Sequence, residues 1–364
     1  MKAGIVGLPN VGKSTLFNCL SNAKAQSANF PFCTIEPNIG VVNVPDYRIN
    51  KLEELVKPDR VQMATVDIVD IAGLVKGASK GEGLGNQFLG NIRECNAIIH
   101  VLRCFDNDNI IHVDGNVNPI RDKETIDIEL QLKDLETVEK RLEKVKRAAK
   151  TGNKEAQTEE AFLNRIREAL LQAKSARTVV PNSNDEVLLL DDFQLITSKP
   201  VLYVCNVNEE AAATGNDYVV KVRELVKDEN AEIIVLAVGT EADITELETY
   251  EERQLFLEDL GLTEPGASVL IRAAYKLLKL QTYFTAGVKE VRAWTIGVGD
   301  SAPKAAGVIH SDFEKGFIRA EVIAYDDYVQ FGTEAKVKEA GKLRVEGKEY
   351  IVKDGDVMHF RFNV

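Results

Sequence analysis

The residues with the most recognisable chemistry lie near the start of the chain. The segment Gly7-Leu8-Pro9-Asn10-Val11-Gly12-Lys13-Ser14 has the form Gly-x-x-x-x-Gly-Lys-Ser, follows a short apolar strand pattern and precedes a run with helical periodicity. In that context the loop cradles phosphates with backbone N–H groups and with the positive end of the helix. Lys13 is expected to reach the β- and γ-phosphates. The pattern predicts nucleoside triphosphate binding; the alternative is a plain glycine-rich turn.

Candidate Mg2+ ligands accompany this loop. In P-loop proteins the hydroxyl at the position of Ser14 binds Mg2+. Thr34 follows Lys13 at the spacing at which P-loop switch proteins keep a second ligand, although an ordinary surface threonine is the alternative. Asp70 begins the Asp-x-x-Gly that ends the apolar stretch 66–73, and it is predicted to lie behind the Mg2+ as the Walker B carboxylate. The motif predicts a nucleotide site that depends on Mg2+.

The motif Asp-x-x-Gly that begins at Asp70 also suggests a switch. Gly73 is expected to offer its N–H to the γ-phosphate, a contact that orders a loop before hydrolysis and releases it afterwards. Leu74 follows, where many GTPases have the glutamine that orients the attacking water. Because leucine cannot hydrogen-bond to water, the hydrolytic group must come from elsewhere, or the intrinsic rate must be low.

One histidine could take part in that chemistry. His112 lies beyond the apolar strand 97–102, at the sheet edge where α/β proteins assemble their sites. From the residues alone, a solvated loop histidine is the favoured interpretation.

Base selectivity is predicted from the segment Asn206-Val207-Asn208-Glu209, which follows the apolar strand 201–205. A guanine site at this position normally reads Asn-Lys-x-Asp, in which the aspartate accepts two hydrogen bonds from the base and the lysine covers it. Here Val207 replaces the lysine, and the longer Glu209 replaces the aspartate. Guanine selectivity should therefore suffer, because such sites discriminate through buried polar groups left unpaired. The segment disfavours a strict GTPase.

Three kinds of element must position these residues. Apolar strands alternate with helical patterns up to 124 and again over 199–279, which predicts a discontinuous α/β P-loop domain. Between them, 125–198 shows helical spacing of apolar residues with mixed charges, and a break at 151–153 predicts an inserted helical hairpin of coiled-coil character. Its charges suggest a solvated face, with partner binding as the alternative.

The last unit, 280–364, is predicted to be a small, mostly antiparallel β domain that binds something and does not catalyse. Strands are predicted over 294–298, 318–324, 350–352 and 357–362. Asp354-Gly355 between the last two predicts a β-hairpin.

Composition limits the class of protein. The net charge of −12 argues against broad, charge-driven nucleic-acid binding but allows a local basic face. The five scattered cysteines suit a reducing compartment, and no apolar run is long enough to span a bilayer. We expect a cytoplasmic protein with no membrane partner. A candidate basic face is formed by Lys336, Lys338, Lys342, Arg344 and Lys348, which could equally be solvated surface.

Taken together, the motifs closely resemble those of the YchF / Obg-like ATPase family. The resemblance rests on residues 7–14, 29–38, 70–78 and 206–209, and the segment from Leu280 onward resembles the family's ubiquitin-like β-grasp (TGS) domain. It covers essentially the whole chain.

The resemblance implies a ribosome-associated enzyme that hydrolyses ATP in preference to GTP. It implies that His112 supplies the function of the missing glutamine by positioning or polarising water, which reverses the interpretation from the residues alone. It implies nucleotide contacts from Asn10, Val11, Gly12, Lys13, Ser14, Thr15 and Val207, and Mg2+ ligands at Ser14 and Thr34. The rest of the predicted site comes from the residue patterns: Asp70, Gly73, Asn206 and Glu209.

The leading hypothesis is therefore an ATP-hydrolysing switch that acts in translation or a stress response and binds the ribosome or its large subunit, with RNA contacted there. One rival is a GTPase of the Obg type. A second is a nucleotide-regulated ribosome-binding scaffold in which hydrolysis is secondary.

Overall fold

The computed structural model describes residues 1–22, 39–71, 85–229 and 231–363. They form two compact units, 1–40 with 67–270 and 41–66 with 271–364. The predicted site residues Thr34 and Gly73, together with Leu74, lie outside the described residues. The three-part division predicted from the sequence stays a prediction. The structure groups residues 41–66 with the C-terminal residues. The sequence patterns had placed 41–66 in the P-loop domain.

The described part of the chain forms strands and helices with the following bounds. The strands are β1 (Lys2–Val6), β2 (Ile39–Asn43), β3 (Val61–Gln62), β4 (Thr65–Asp70), β5 (Ala97–Arg103), β6 (Val201–Asn206), β7 (Glu232–Leu236), β8 (Leu280–Ala286), β9 (Val291–Gly297), β10 (Phe317–Ile323), β11 (Arg344–Glu346) and β12 (Val357–Phe362). The helices are α1 (Lys13–Asn22), α2 (Tyr47–Val56), α3 (Gly85–Glu94), α4 (Pro119–Lys150), α5 (Lys154–Leu171), α6 (Asn184–Phe193), α7 (Asp217–Val226), α8 (Val238–Glu246), α9 (Tyr250–Asp259), α10 (Gly266–Leu277), α11 (Ala302–Ile309), α12 (Ser311–Lys315), α13 (Tyr325–Phe331) and α14 (Glu334–Glu339).

The first unit is built on a parallel sheet in which β4, β1, β5, β6 and β7 lie side by side. Every residue of β5 and β6 is buried, as expected for strands covered on both faces of a parallel sheet. The apolar runs that predicted these strands are thus explained by burial. The α/β fold class with a P-loop domain is confirmed.

A helical hairpin extends from this sheet. α4 and α5 are antiparallel and meet at a turn in which Gly152 has a φ of 85° and Asn153 accepts from the Ala156 N–H at 3.0 Å. The helices enclose a core that includes Val138, Leu142, Phe162 and Ile166. The predicted break at 151–153 and the predicted hairpin are confirmed, although α4 begins earlier than the periodicity had suggested.

The C-terminal unit holds a mixed sheet in the order β11-β10-β12-β8-β9-β3. β8 and β12 are parallel at its centre, and their outer neighbours β9 and β10 are antiparallel to them. With α11 and α12 against one face, this is the predicted β-grasp arrangement. Its core includes Tyr283, Phe317, Val322 and Met358.

The predicted hairpin at Asp354-Gly355 is wrong. Ile351 forms only an isolated bridge to Ser301, and β12 pairs with β10 and β8 instead of with 350–352. Gly355 has a φ of 89°, so a turn is present, and the Asp356 carboxylate accepts from the Lys353 N–H at 2.9 Å inside it. The turn motif was identified correctly, but tertiary pairing decided which strand lies beside β12.

None of the helices in the four described ranges is long and apolar enough to cross a membrane.

Candidate nucleotide site

Those predicted site residues that the structure describes gather at one edge of the parallel sheet. Each strand ends there on a polar or glycine-containing connection: β1 before Gly7, β4 at Asp70, β5 at Arg103 and β6 at Asn206. Their registers place Ile5 opposite Asp70 and Arg103 opposite Asn206. This is the carboxyl edge at which parallel α/β sheets bind ligands.

The glycine loop has a backbone that only glycine can adopt at one key position. Gly12 has a φ of 99°, and a Cβ there would lie 2.6 Å from Asn206 Nδ2. Asn10 has a φ of 61°, in the left-handed region that asparagine tolerates. Together these angles curve the loop back into the start of α1, where the Leu16 N–H donates to the Gly12 carbonyl at 2.9 Å. The loop therefore leads directly into the N-terminus of α1. Thr15 lies in the first turn of α1 and is solvent-exposed.

Lys13 is buried beneath this loop. Its Nζ donates to the Leu8 carbonyl at 2.6 Å. Burial lowers the pKa of Lys13 to about 8, partly opposed by the negative charge of Asp70. The ammonium group is therefore held at the loop with much of its hydration removed and no carboxylate in an ion pair among the described residues.

Two side chains with oxygen atoms that could bind a metal ion lie close together: Asp70 at the end of β4 and Ser14 at the start of α1. The Ser14 hydroxyl donates to Asp70 Oδ2 at 3.1 Å. The other carboxylate oxygen, Oδ1, is buried and has no hydrogen-bond partner in the described part of the chain. A buried carboxylate oxygen without a partner is costly unless a ligand completes it. A hydroxyl beside such a carboxylate is a donor set that suits a hard cation such as Mg2+.

Asn206 connects the segment 206–209, called the base loop, to the glycine loop. Its Nδ2 donates to the Val11 carbonyl at 3.0 Å, and its Oδ1 accepts from the Val238 N–H at 3.0 Å. Val207 follows with its side chain buried, whereas Glu209 is exposed at the start of the short turn Glu209–Ala211. The structure therefore brings Asn206 to the glycine loop by a direct contact, and Glu209 projects from the same connection into solvent.

His112 is buried, so the interpretation as a solvated loop histidine is wrong. Its side chain is 3% exposed, and its Nε2 lies 2.8 Å from Asp122 Oδ2 in the first turn of α4. Its Nδ1 accepts from the Asp114 N–H at 3.1 Å. Since Nδ1 is an acceptor, the ring proton resides on Nε2 and is donated to Asp122. Both ring nitrogens are therefore occupied within the protein.

The segment that carries His112 is connected to the glycine loop. Asn10 Nδ2 donates to the carbonyl of Ile111, the residue before His112, at 3.1 Å. Arg103 is fully buried, and its guanidinium donates to the carbonyls of Phe105, Asn107 and Ile110 at 2.9–3.2 Å. The histidine is thus held one residue away from a P-loop contact.

Sequence reasoning missed Arg103 and Asp122. The available signals were an arginine at the end of a strand that is apolar apart from His100, and a carboxylate in the first turn of a helix that begins with Asn118-Pro119. Neither motif is specific, because the same residues occur as ordinary strand ends and helix starts.

The parallel sheet, the glycine loop and the strand-end carboxylate define a nucleoside triphosphatase fold of the P-loop GTPase type. A family profile described as "50S ribosome-binding GTPase" matches residues 2–138, and the YchF-GTPase_C profile, described as a protein of unknown function, matches residues 280–363. The chain is 57% identical to "Ribosome-binding ATPase YchF" of Haemophilus ducreyi over 100% of this chain and 99% of the relative. The protein of the same name from Bacillus subtilis is 56% identical, with both chains covered over 100% of their length.

A solved structure agrees with these sequences. The structure of the Schizosaccharomyces pombe YchF GTPase matches with a TM-score of 0.90 and 39% identity, over 99% of this chain and 97% of that one. The chain belongs to the YchF family.

Proposed function

We propose that this protein is a ribosome-binding P-loop ATPase that acts as a nucleotide-dependent switch. The observation that carries the proposal is the convergence at the mouth of the glycine loop of Lys13, Ser14 and the Asp70 oxygen that has no hydrogen-bond partner among the described residues. These groups supply a cation for phosphate oxygens and two ligands for Mg2+. The names of the full-length relatives point to the same activity and partner.

The roles of the individual residues follow from this placement. The backbone and side chains of Asn10, Val11, Gly12, Lys13, Ser14 and Thr15 bind the phosphates. Ser14 and Asp70 hold Mg2+, which when bound neutralises charge on the phosphate oxygens. Thr34 as a further ligand and Gly73 as a γ-phosphate contact lie outside the described residues and remain predictions from the sequence.

ATP is proposed as the preferred nucleotide because of the base loop. The buried side chain of Val207 cannot extend over a base as a lysine would, and the exposed Glu209 is one methylene longer than the aspartate that guanine sites use. Asn206 orders this loop against Val11 whichever base is bound. The loop therefore lacks the rigid bidentate acceptor that guanine selectivity requires.

His112 is proposed to position or polarise the attacking water. In the described arrangement both of its ring nitrogens are hydrogen-bonded to Asp122 and Asp114, so the ring must leave Asp122 before it can serve water. A slow basal rate follows, since the competent state has to break a buried hydrogen bond. Ribosome binding would favour that state. A cytoplasmic location follows from a ribosomal partner and is part of the proposal.

The deciding experiment is a calorimetric titration of nucleotide-free protein with ATP and GTP analogues, with Mg2+ at one salt concentration. The expected result is tighter ATP binding, with ATP hydrolysis that increases when purified ribosomes are added. A matched variant, Val207→Lys with Glu209→Asp, should move selectivity toward GTP.

A GTP preference in the unmodified chain would support the rival GTPase function, which the words "GTPase" in the matching profile and in the description of the S. pombe structure favour. ATP binding without any ribosome-stimulated hydrolysis would instead support the scaffold hypothesis.

A further inference from the structure

The far end of the helical hairpin carries an unusual concentration of positive charge. Residues 144–154 contain five cations and no Asp or Glu, in a chain with a net charge of −12. All five are exposed, at the end of α4 and at the start of α5. We call these residues the tip cations: Lys144, Lys146, Arg147, Lys150 and Lys154.

The tip cations differ from the basic residues elsewhere in the hairpin. Along the rest of it, Lys133, Arg141, Arg165 and Arg167 each have a carboxylate within ion-pair distance. The tip cations have no such partner among the described residues. Within the part of the chain that the structure describes, the hairpin therefore pairs its cations along its length and not at its end.

Helix electrostatics explains only part of this pattern. Arg147 and Lys150 lie in the last turn of α4, where positive charge is favourable. Lys154 begins α5, however, and a cation at a helix N-terminus is unfavourable. Lys146 and Lys150 are four residues apart on one helix, where like charges repel. An anionic partner would remove this repulsion.

The backbone beneath the tip cations is fixed. Gln157 Nε2 donates to the Ala149 carbonyl at 3.2 Å, and the Thr151 hydroxyl donates to the Ala148 carbonyl at 2.8 Å. Ala149 of α4 and Ala156 of α5 are buried. The cations are thus presented on a preorganised turn, which lowers the ordering cost of binding.

The composition of the tip selects the class of anion. Interfacial membrane helices insert large apolar or aromatic side chains, and residues 144–154 contain none beyond the half-buried Val145. Sequence-specific contacts to unstacked bases need aromatic platforms, which are also absent from this segment. Four lysines and one arginine suit nucleic-acid phosphates, which they bind without reading sequence.

We infer that the tip cations bind the phosphate backbone of ribosomal RNA. This inference rests on the proposed ribosome-binding function and identifies the surface and the chemistry of the contact. α4 runs without interruption from Asp122, the partner of His112, to Lys150. At 1.5 Å per residue, that distance is roughly 40 Å. The tip therefore lies on the same rigid helix as the residue that holds His112.

The test uses the full chain in which the tip cations are all replaced by glutamine, which keeps helix propensity. A matched control replaces five other exposed lysines, which lie outside the candidate basic face and have no ion pair among the described residues, and so removes the same charge: Lys57, Lys276, Lys289, Lys315 and Lys353. Binding to purified ribosomes and to protein-free ribosomal RNA is measured at several salt concentrations. Circular dichroism and basal ATP hydrolysis verify that both variants are folded.

The tip variant is expected to bind both probes about tenfold or more weakly. Its plot of log affinity against log salt should be shallower by about 0.7–0.9 for each phosphate that the variant no longer neutralises. The control should change little. Equal binding of RNA by the tip variant and the unmodified chain overturns the inference. So does a weakening confined to whole ribosomes, which would indicate an acidic protein partner.

The measurement with protein-free ribosomal RNA also separates the proposed ribosome-binding function from the proposed role of the tip cations. An unmodified chain that fails to bind ribosomes contradicts the proposed function, whereas the RNA measurement still decides the role of the tip cations.

Discussion

At the scale of single residues, Lys13 is an amine whose protonation a bound ligand can change. Burial lowers its pKa to about 8, and Asp70 only partly offsets that effect. Phosphate oxygens beside Nζ would favour the ammonium form, so nucleotide binding should raise this pKa. We predict that, above pH 8, nucleotide binding takes up close to one proton at Lys13, and that affinity falls about tenfold per pH unit.

Calorimetric titrations at pH 8.5 in two buffers of different ionisation enthalpy measure this uptake directly. At pH 7, Lys13 is already protonated in the free protein, so its contribution should be small. The variant Lys13→Arg is the control, since arginine stays charged throughout this range. Proton uptake that persists in Lys13→Arg would assign it to another group.

The contact between His112 and Asp122 supports a second prediction at this scale. A buried hydrogen bond to a carboxylate contributes about 1.5–3 kcal/mol net, which corresponds to roughly a 10- to 150-fold change in the population of the released ring. Asp122→Ala should therefore raise basal ATP hydrolysis by about that factor. Steady-state phosphate release in the absence of ribosomes measures it.

The controls for Asp122 separate release of the histidine from general loosening. Asp122→Asn keeps an acceptor oxygen and should give a smaller increase. In Asp122→Ala with His112→Ala, the increase should disappear. An increase that remains without His112 would show that the histidine is not the group being released.

Sequence reasoning succeeded at residues whose backbone geometry is nearly unique. Gly12 is required by its φ of 99° and by the approach of Asn206, and the motif predicted that loop directly. The interpretation of His112 as a solvated histidine was wrong, because its burial depends on Asp122, ten residues further on, and on the loop that Arg103 holds. Such contacts carry no local periodicity, so the sequence could not show them.

At the scale of elements, one buried carboxylate joins the helical hairpin to the chain that follows it. Asp134 of α4 is fully buried and accepts from the N–H groups of Ile196 and Thr197 at 2.9 and 2.6 Å, and from the Thr197 hydroxyl at 2.7 Å. These bonds anchor the chain that returns to β6. Burial raises the pKa of Asp134, an effect that the three hydrogen bonds oppose.

Asp134→Ala should lower the free energy of unfolding by about 3 kcal/mol, because three buried donors lose their acceptor. Urea denaturation followed by circular dichroism measures the change. Asp134→Asn, which keeps one acceptor oxygen, should cost less, and Asp191→Ala at an exposed position of α6 should stay within about 0.5 kcal/mol. A decrease for Asp134→Ala no larger than that for Asp191→Ala would contradict the role of the carboxylate.

Apolar spacing predicted the packing of elements better than a turn motif did. The apolar spacing of α4 and α5 predicted the hairpin, because each helix buries one stripe against the other. The Asp354-Gly355 turn did not predict strand pairing. β12 pairs with β10 along its whole length and with β8 at Val357 and Phe284, and this pairing outweighs a local hairpin with 350–352.

At the scale of the whole molecule, the chain folds as two units that each combine distant segments. Residues 41–66 pack with 271–364, although more than 200 residues separate them in sequence. Ile49 and Leu52 of α2 are fully buried, and β3 pairs with β9. The domain boundary at 280 predicted from the sequence rests on strand patterns, which cannot reveal that an earlier segment completes the same unit.

Several contacts hold this early segment in the C-terminal unit. Arg48 forms an ion pair with Asp354 at 2.7 Å and lies 5.2 Å from the centre of the Phe284 ring. The Asp59 N–H donates to the Val288 carbonyl at 2.9 Å, and the Arg60 carbonyl accepts from Val291 at 3.1 Å. A chain that ends at 279 would lack all of these partners at once.

We therefore predict that, in a chain truncated after 279, the amides of α2 lose their protection from hydrogen exchange, whereas those of β5 and β6 keep theirs. Hydrogen–deuterium exchange with peptide-level mass spectrometry measures both in one experiment. The reciprocal fragment, 271–364, should melt well below the full chain, and a fusion of 41–66 to it through a flexible linker should restore a cooperative transition. Full protection of α2 in the truncated chain would show that the segment 41–66 is held without the C-terminal strands.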